Sequence, residues 1–415
     1  MSHTHNLSGK IASLKERQAT IDGKGEEEDL SEAEVVELRG ISSYIHSLSR
    51  LNTSICWQQS RLNWLCEGDV NSKYFHYILG CWRRRNSLVS IIVNGSMVEG
   101  VQPVRQAVFS HFASHFQPHH IQRPMIDDLQ FRGLSYVEGG GLIKPFLVEE
   151  VKAAIWDCDS FKSPGPDGIN FDFFKDFWSD LKEDVMCFAN DFHRNGKLSK
   201  GINSSFIALI PKVDSPQTLN EFCPISLVGS LYKIPAKLLA NRLRQVIGSV
   251  ISYAQYAFVK NRQILDWILI ANDVVDEARK CKKELMMFKV DFEKAYDLVD
   301  WGYLYAMMGK ICFSTLWRKW IKECVLTATS FVLGNGSPTD EFPLGRGLRQ
   351  GDPLSPFLFL WVAEGLNVMM KAMVDANFFR GYSVGAENVV VLSHLQFAYD
   401  TLLLGEKSWV NVRAL

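Results

Sequence analysis

Two aspartates, Asp291 and Asp400, stand where the sequence reads as strand ends, and acids so placed can hold a hard divalent cation. MMFKVDF reads as a strand ending at Asp291, and VVVLSHLQFAYDTLLLG as two β-rich arms around Ala398-Tyr399-Asp400, a tight turn with Asp400 at its tip. Carboxylates delivered by two strands grip metal ions that activate one oxygen and stabilise another, which is the chemistry of metal-assisted phosphoryl transfer. The pair alone does not decide, since most aspartates after strands cap helices or close turns. Other chemistries have less support. The nine cysteines form no CxxC pair, which removes the usual zinc and dithiol signatures and suits a reduced, intracellular compartment. His111, His115, His119 and His120 lack an accompanying acidic or cysteine ligand pattern and read as surface or internally satisfied histidines.

The elements that would carry these residues follow from periodicity. Ser31 and Glu34 have capping-box spacing ahead of Val35, Leu38, Ile41, Ile45 and Leu48, an amphipathic helix within a helical arm over 1–56. GKGEEED, residues 23–29, reads as a solvated break. Residues 57–145 form a connecting region: aromatics beside Arg83, Arg84 and Arg85 suit a phosphate backbone and its bases, although composition alone favours a solvated helix end next to buried rings. Asn94-Gly95 marks a hairpin, and the glycine-rich stretch 121–145 a linker or irregular loop. From Phe146 onward, helices alternate with short strands in an α+β body. LKEDVMCFANDFHRNGK is helical with a terminal glycine, SSFIALIPK is a strand ending at Lys212, and KLLANRLRQVIGSVI is helical, Pro235 being awkward if that helix begins earlier. TSFVLGNG is a hairpin arm, and PLSPFLFLWVAEGLNVMMKAM a helix with Asp352 as its N-cap.

Seven blocks occur in order: SPGPDGINFDFFKDFW, FIALIPKVDSP, FCPISLVGSLYKI, AFVKNRQI, FKVDFEKAYDLVDW, GLRQGDPLSPFLFL and HLQFAYDTLLLG. Together they closely resemble the reverse transcriptase of plant non-LTR (LINE-type) retrotransposons, from about Trp57 to the last residue. The resemblance implies the fingers and palm of a right-hand polymerase, with an antiparallel palm sheet over 146–415, behind an α-helical N-terminal extension. It implies RNA template, DNA primer and deoxynucleoside triphosphates as partners, two Mg2+ ions as cofactors, and a nuclear location. Asp291 and Asp400 would be metal ligands. Lys212 would reach a triphosphate oxygen, Tyr296 would lie against the nucleotide sugar, and Gln350 and Gly351 would lie under the incoming base and template. Arg262 could touch template or primer phosphate.

Three departures from that family stand out. Tyr399 occupies the place of the first acid of FADD, and a phenol with a pKa near ~10 stays neutral at ordinary pH. Cys223 replaces an arginine before the proline, and cannot supply a bidentate guanidinium grip. The sequence stops at Leu415, so the thumb is expected to be missing and the domain truncated. The expectation is a polymerase by descent, impaired or inactive in this copy, the rival being a non-catalytic nucleic-acid-binding remnant or domesticated binding protein. Composition agrees with a folded chain: 47% hydrophobic and 22% charged residues argue against wholesale disorder. A formal charge of -1 means that attraction to nucleic acid must come from local basic surface. Glu364 and Asn367 interrupt the most apolar stretch, so no membrane span is expected.

Overall fold

The computed structural model describes residues 7–28, 30–60, 87–118, 128–385 and 389–414, with Tyr77 and Cys81. Arg83, Arg84, Arg85, His119 and His120 lie outside the described residues. Two compact units divide the chain, Met1–Leu88 and Val89–Leu415. In the first, α1 (Leu7–Glu27) packs on α2 (Glu32–Ser60). The pair is tied by Arg17 Nε to Glu37 Oε1 at 2.9 Å and Lys24 Nζ to Glu34 Oε1 at 2.6 Å. The capping box is present, Ser31 N donating to Glu34 Oε2 at 2.9 Å and Glu34 N to Ser31 Oγ at 3.4 Å. The expected break at 23–29 begins later than expected, because α1 runs through Gly23 and Gly25 to Glu27. Two isolated glycines cost a helix about 1 kcal/mol each, not enough to end it.

The second unit opens with the hairpin β1 (Ser90–Val93) and β2 (Ser96–Glu99), turning at Asn94-Gly95 with φ of 51° and 79°. Helices α3 (Val101–His115), α4 (Tyr136–Leu142), α5 (Val148–Trp156), α6 (Phe171–Asp176) and α7 (Trp178–Asn195) follow. Then come β3 (Ser204–Pro211), β4 (Phe222–Val228), α8 (Ser230–Val250), α9 (Ile264–Cys281) and β5 (Leu285–Asp291). Next are α10 (Trp301–Lys310), α11 (Thr315–Leu326), β6 (Thr329–Gly334), β7 (Ser337–Pro338) and β8 (Phe342–Pro343). The chain continues through α12 (Ser355–Asp375), β9 (Tyr382–Val384), β10 (Val390–Leu392), β11 (His394–Phe397), β12 (Asp400–Glu406) and α13 (Trp409–Ala414).

Two sheets matter for the site. One runs β4-β3-β6-β7, with β8 also on β6; β3 and β6 are parallel and the other pairs antiparallel. The other is wholly antiparallel, in the order β11-β12-β5. Leu395, Leu402 and Leu404 bury against Val274 and Ala278 of α9, while Leu403 packs with Met370 of α12. Because strand side chains alternate, the sheet is thus covered by a helix on each face. The main core gathers around α8, α11 and α12, where Trp317, Trp320, Trp361 and Tyr232 are fully buried.

Several local expectations change. The glycine triplet 139–141 lies inside α4, which starts at a Ser135–Glu138 capping box and is anchored by buried Leu142. Helix α8 begins at Ser230, ahead of the expected Lys237, and places Pro235 inside the helix. A missing N–H costs about 3 kcal/mol there, and the buried Tyr232, Ile234, Leu238 and Leu239 side chains compensate. Asp352 does not cap α12: Leu354 holds that position, and Asp352 is buried beneath it, accepting from Tyr232 Oη at 2.7 Å and Arg349 Nη2 at 2.8 Å. By length and composition α12 could cross a membrane, yet half of that stretch is buried in the protein, as in a core helix.

Arg242 is the clamp on α4. Its Nη1 donates to the carbonyls of Leu142 at 2.7 Å and Lys144 at 2.6 Å, and Nη2 to that of Pro145 at 3.1 Å. Nε and Nη2 pair with Glu150 at 2.7 and 2.8 Å. The guanidinium thus satisfies carbonyls that a helix end leaves unpaired. Arg242→Met should strand those acceptors and cost about 3 kcal/mol or more, read as a lowered urea midpoint.

A second buried network gives a pH signature. His394 Nε2 lies 2.6 Å from Asn367 Oδ1, and Asn367 Nδ2 donates to Glu364 Oε2 at 2.9 Å. Burial drives the imidazole down to about 4 from an ordinary 6.5. The unfolded chain therefore takes up a proton between those values and the folded one does not, so stability falls as pH drops from 6.5 towards 4, by about 3 kcal/mol at most. Glu364, pushed up by burial, works in the opposite sense. Urea midpoints measured from pH 4 to 7 should show a slope that His394→Gln flattens.

Candidate active site

The geometry starts from one register. In the β12–β5 ladder Asp400 is paired directly with Asp291, and residues so opposed project from the same face of a sheet. Phe397 pairs with Asp400 on the other side, so Asp400 opens β12 rather than standing at the tip as expected, and Ala398 and Tyr399 alone make the two-residue turn. Ala398 sits at φ 55°, the left-handed value that the first central residue of such a hairpin needs. Tyr399 at the tip is 41% exposed. Lys289, two residues before Asp291 and on its face, places Nζ 3.2 Å from Asp400 Oδ1. The carboxylate pair already has a cationic neighbour of its own.

An open cleft of about 450 Å3 collects most of the remaining sequence candidates: Lys212, Asp291, Tyr296, Gln350, Gly351 and Tyr399 all line it. Lys212 follows the end of β3, its backbone N–H donating to the Glu221 carbonyl at 2.8 Å, and its side chain is exposed. Tyr296 stacks on Phe359 with ring centroids 4.8 Å apart and planes at 12°. Burial, with Tyr399 nearby, pushes its phenol up to about 12, so the ring is a neutral wall at any working pH. Cys223 on β4 also lines the cleft, donating from Sγ to Gln350 Oε1 at 3.4 Å, and burial raises its thiol.

Gln350 and Gly351 are held by β4. The Gln350 carbonyl accepts from Ser226 N at 2.7 Å, and a Cβ on Gly351 would stand 2.7 Å from the Ser226 carbonyl oxygen. With φ at 106°, this glycine serves a close approach of backbone to backbone. Arg262 is not among the cleft residues. Its Nη1 donates to the carbonyls of Ser252 at 2.5 Å and Gln255 at 2.6 Å, and its guanidinium lies over the Tyr253 ring at 5.2 Å.

Sequence reasoning passed over the cleft floor. Asp297 is 3% exposed, lines the cleft and accepts from Gln350 Nε2 at 3.0 Å. An acid inside the apolar run AYDLVDW was the available signal. Arg349 and Asp352, flanking Gln350-Gly351, are buried as an ion pair at 2.8 Å, with the guanidinium 4.2 Å above the Tyr232 ring. They fix the loop from beneath.

A Mg2+ ion takes one or two protein carboxylates and fills its shell with water and phosphate oxygens. Asp291 and Asp400 fit that donor set for one ion. Among the described residues no group of three or more His, Cys, Asp or Glu is placed to hold a metal. Position 399, at the turn beside them, carries a phenol rather than a carboxylate.

Opposed acids at neighbouring strand tips, beside a cleft with a lysine, an aromatic wall and a glycine-turned loop, form a candidate metal and phosphate site in a mixed α+β protein. Comparison with known proteins points the same way. Residues 210–408 match the reverse transcriptase (RNA-dependent DNA polymerase) family. The chain is 27% identical over 369 residues to the transposon TX1 uncharacterized 149 kDa protein of Xenopus laevis, covering 88% of this chain and 28% of that protein. It is 27% identical over 197 residues to a Pol polyprotein from the type-1 retrotransposable element R2 of Popillia japonica, covering 47% and 26%. An uncharacterized mitochondrial protein of Arabidopsis thaliana is 40% identical over 80 residues, 19% of this chain and 62% of that one. Residues 210–408, just under half of the chain, are thus similar to reverse transcriptases, and the relatives that match over the longest stretches are proteins of transposable elements. It spans only about a quarter of the length of the transposon relatives.

Gly351→Ala tests the site's backbone. Both the positive φ and the contact with Ser226 oppose a methyl group, so a loss of about 2–3 kcal/mol is expected in chemical denaturation.

Proposed function

We propose that the cleft is a nucleotide-addition site of LINE type in which β5, β11 and β12 form the palm and β3 and β4 belong to the fingers. The observation that carries this reading is the register pairing of Asp400 with Asp291 beside the cleft that Lys212, Tyr296, Gln350 and Gly351 line. In the reaction a primer 3'-hydroxyl attacks the α-phosphorus of a deoxynucleoside triphosphate on an RNA template, forming a new P–O bond as pyrophosphate leaves. Lys212 would neutralise the triphosphate, Tyr296 would bound the sugar, and the Gln350-Gly351 loop would support the base. Divalent cations, which this family generally uses, supply charge stabilisation and activation of the attacking oxygen when bound. The match to the Arabidopsis protein and the wording of the motif blocks support a plant-type lineage. A nuclear site of action belongs to the same proposal.

Catalysis by this copy is weak on this reading. Tyr399 removes one carboxylate, and a charge about 4 Å from a cation is worth up to roughly 4 kcal/mol at an effective dielectric of ~20. That corresponds to a rate loss of about a thousandfold. Cys223 removes a second triphosphate contact. Primer extension on an RNA template should therefore rise by orders of magnitude in Tyr399→Asp, and equal synthesis by the unaltered chain would refute impairment.

One observation favours a second reading, nucleic-acid binding without catalysis: the Lys289 ammonium already compensates Asp400 at 3.2 Å. Under either reading, filter binding of template–primer should weaken steeply with added salt, as counterion release requires. Affinity indifferent to salt would exclude an electrostatic groove.

A further inference from the structure

The floor of the cleft is shared with a helix that precedes the matched family segment. Helix α3 ends at His115, which belongs to residues 89–118, upstream of the match that begins at residue 210. His115 Nε2 lies 3.6 Å from Asp297 Oδ2, both side chains being largely buried. The other oxygen of that carboxylate, Oδ1, accepts from Gln350 Nε2 at 3.0 Å. An imidazole within ion-pair range of the carboxylate, and the carboxylate hydrogen-bonded to the glutamine amide, thus stand in series from α3 to the cleft.

This series is built to hold its place. Arg346 donates to the His115 carbonyl from Nε at 2.9 Å and from Nη2 at 2.5 Å, and Gly345 N donates to the Phe116 carbonyl at 2.9 Å. A Cβ on Gly345 would stand 2.5 Å from Pro118 Cδ, and one on Gly347 2.5 Å from the Asp297 carbonyl oxygen. The end of α3, the loop before Gln350 and the segment after Asp291 are therefore in backbone contact. Phe116, Asp297 and Gln350 also line one small internal cavity of about 10 Å3. The His111 ring stacks on that of His115, with centroids 6.3 Å apart.

We propose that His115 is a positioning residue of the nucleotide site, acting through Asp297 on the side-chain amide of Gln350. The inference rests on the reading of the cleft as a nucleotide site. A glutamine amide has two faces that differ in hydrogen-bonding sense, and its donor side is turned here towards the Asp297 carboxylate. That leaves Oε1 directed at Cys223 Sγ, and it fixes which side of the amide a base would meet. The carboxylate is the part that must not move. Buried acids hold one orientation only when polar neighbours surround them, and His115 is the neighbour on the side away from Gln350.

The test measures the dissociation constant of a fluorescent deoxynucleoside triphosphate on the full chain. The chain is loaded with an RNA template and a DNA primer ending in a dideoxynucleotide, so that binding is read without turnover. His115→Ala should weaken the matched nucleotide about two- to fivefold, the scale of one weak polar contact. His115→Gln, whose amide can reach the same carboxylate, should restore most of the affinity. Template–primer affinity should stay unchanged in both. Phe109→Leu is the control, because Phe109 packs on Phe342 with ring centroids 5.9 Å apart and belongs to the same helix. It should lower the melting temperature and leave nucleotide affinity alone. An unaltered affinity in His115→Ala overturns the proposal, and so does an equal loss in Phe109→Leu, which would mark α3 as scaffold only. Failure of the unaltered chain to bind any nucleotide would remove the cleft reading itself, and this inference with it.

Discussion

The pairing of β12 with β5 is the constraint on which the chemistry of this chain depends. Asp291 and Asp400 are separated by more than a hundred residues, and only this ladder makes them neighbours. Because side chains alternate along a strand, a slip of one residue would send one acid to the opposite face. The register is held by burial on both faces at once. Leu402 and Leu404 must meet α9, and Leu403 must meet α12. Gly405 adds a steric stop, since a Cβ there would come within 2.7 Å of the Arg380 carbonyl oxygen. A slipped ladder would expose leucines, at roughly 1.5–3 kcal/mol each.

The second constraint is the loop that brings Gln350 and Gly351 against β4. A buried ion pair is an expensive way to hold a loop, because desolvation offsets much of its attraction. Here Arg349 and Asp352 are each further engaged: Asp352 by Tyr232 Oη and Leu354 N, Arg349 by the carbonyls of Asn203 and Cys324. With its donors and acceptors satisfied, the pair specifies one conformation of the loop. The ladder places the acids and the loop places the opposite wall of the cleft, and neither sheet could form the cleft alone.

Much of this was legible from local chemistry. Asn94-Gly95 and Asn335-Gly336 turn where the dipeptides say they should, with positive φ at all four residues. The strand end at Asp291 follows from its β-rich run, and a turn between two β-rich arms near residue 399 does too, although Asp400 falls in the strand and not at the tip. What was not legible depended on partners distant in sequence. The glycine triplet in α4 looked like linker because its stabiliser, Arg242, lies a hundred residues on. Asp352 looked like an N-cap because its hydroxyl donor is Tyr232, far upstream. Gly351 suggested a close backbone approach, and the backbone it meets inside the protein, that of Ser226, lies far upstream. Asp297 carried no periodic signal at all, its burial being a tertiary fact.

Tyr399 bears on stability and on the proposed chemistry in opposite directions. Three carboxylates crowded at one hairpin tip repel one another, and in the folded state that repulsion is a cost unless cations offset it. Exchanging one for a neutral phenol removes a charge from the crowd. The tip is exposed, so the ring displaces nothing in the core, and a phenol there is neutral or favourable for stability, whereas under the proposed function it would be severe for metal-assisted chemistry. Lys289 works in the same direction by compensating Asp400 from within the sheet. The residues that hold the fold, Arg242, Arg349, Asp352 and the leucines of β12, are buried, whereas the residues that would perform the reaction sit at its rim. Stability and chemistry are therefore supported by different side chains. A change at the rim can therefore leave the packing intact, and good packing is by itself no measure of the activity proposed for the cleft.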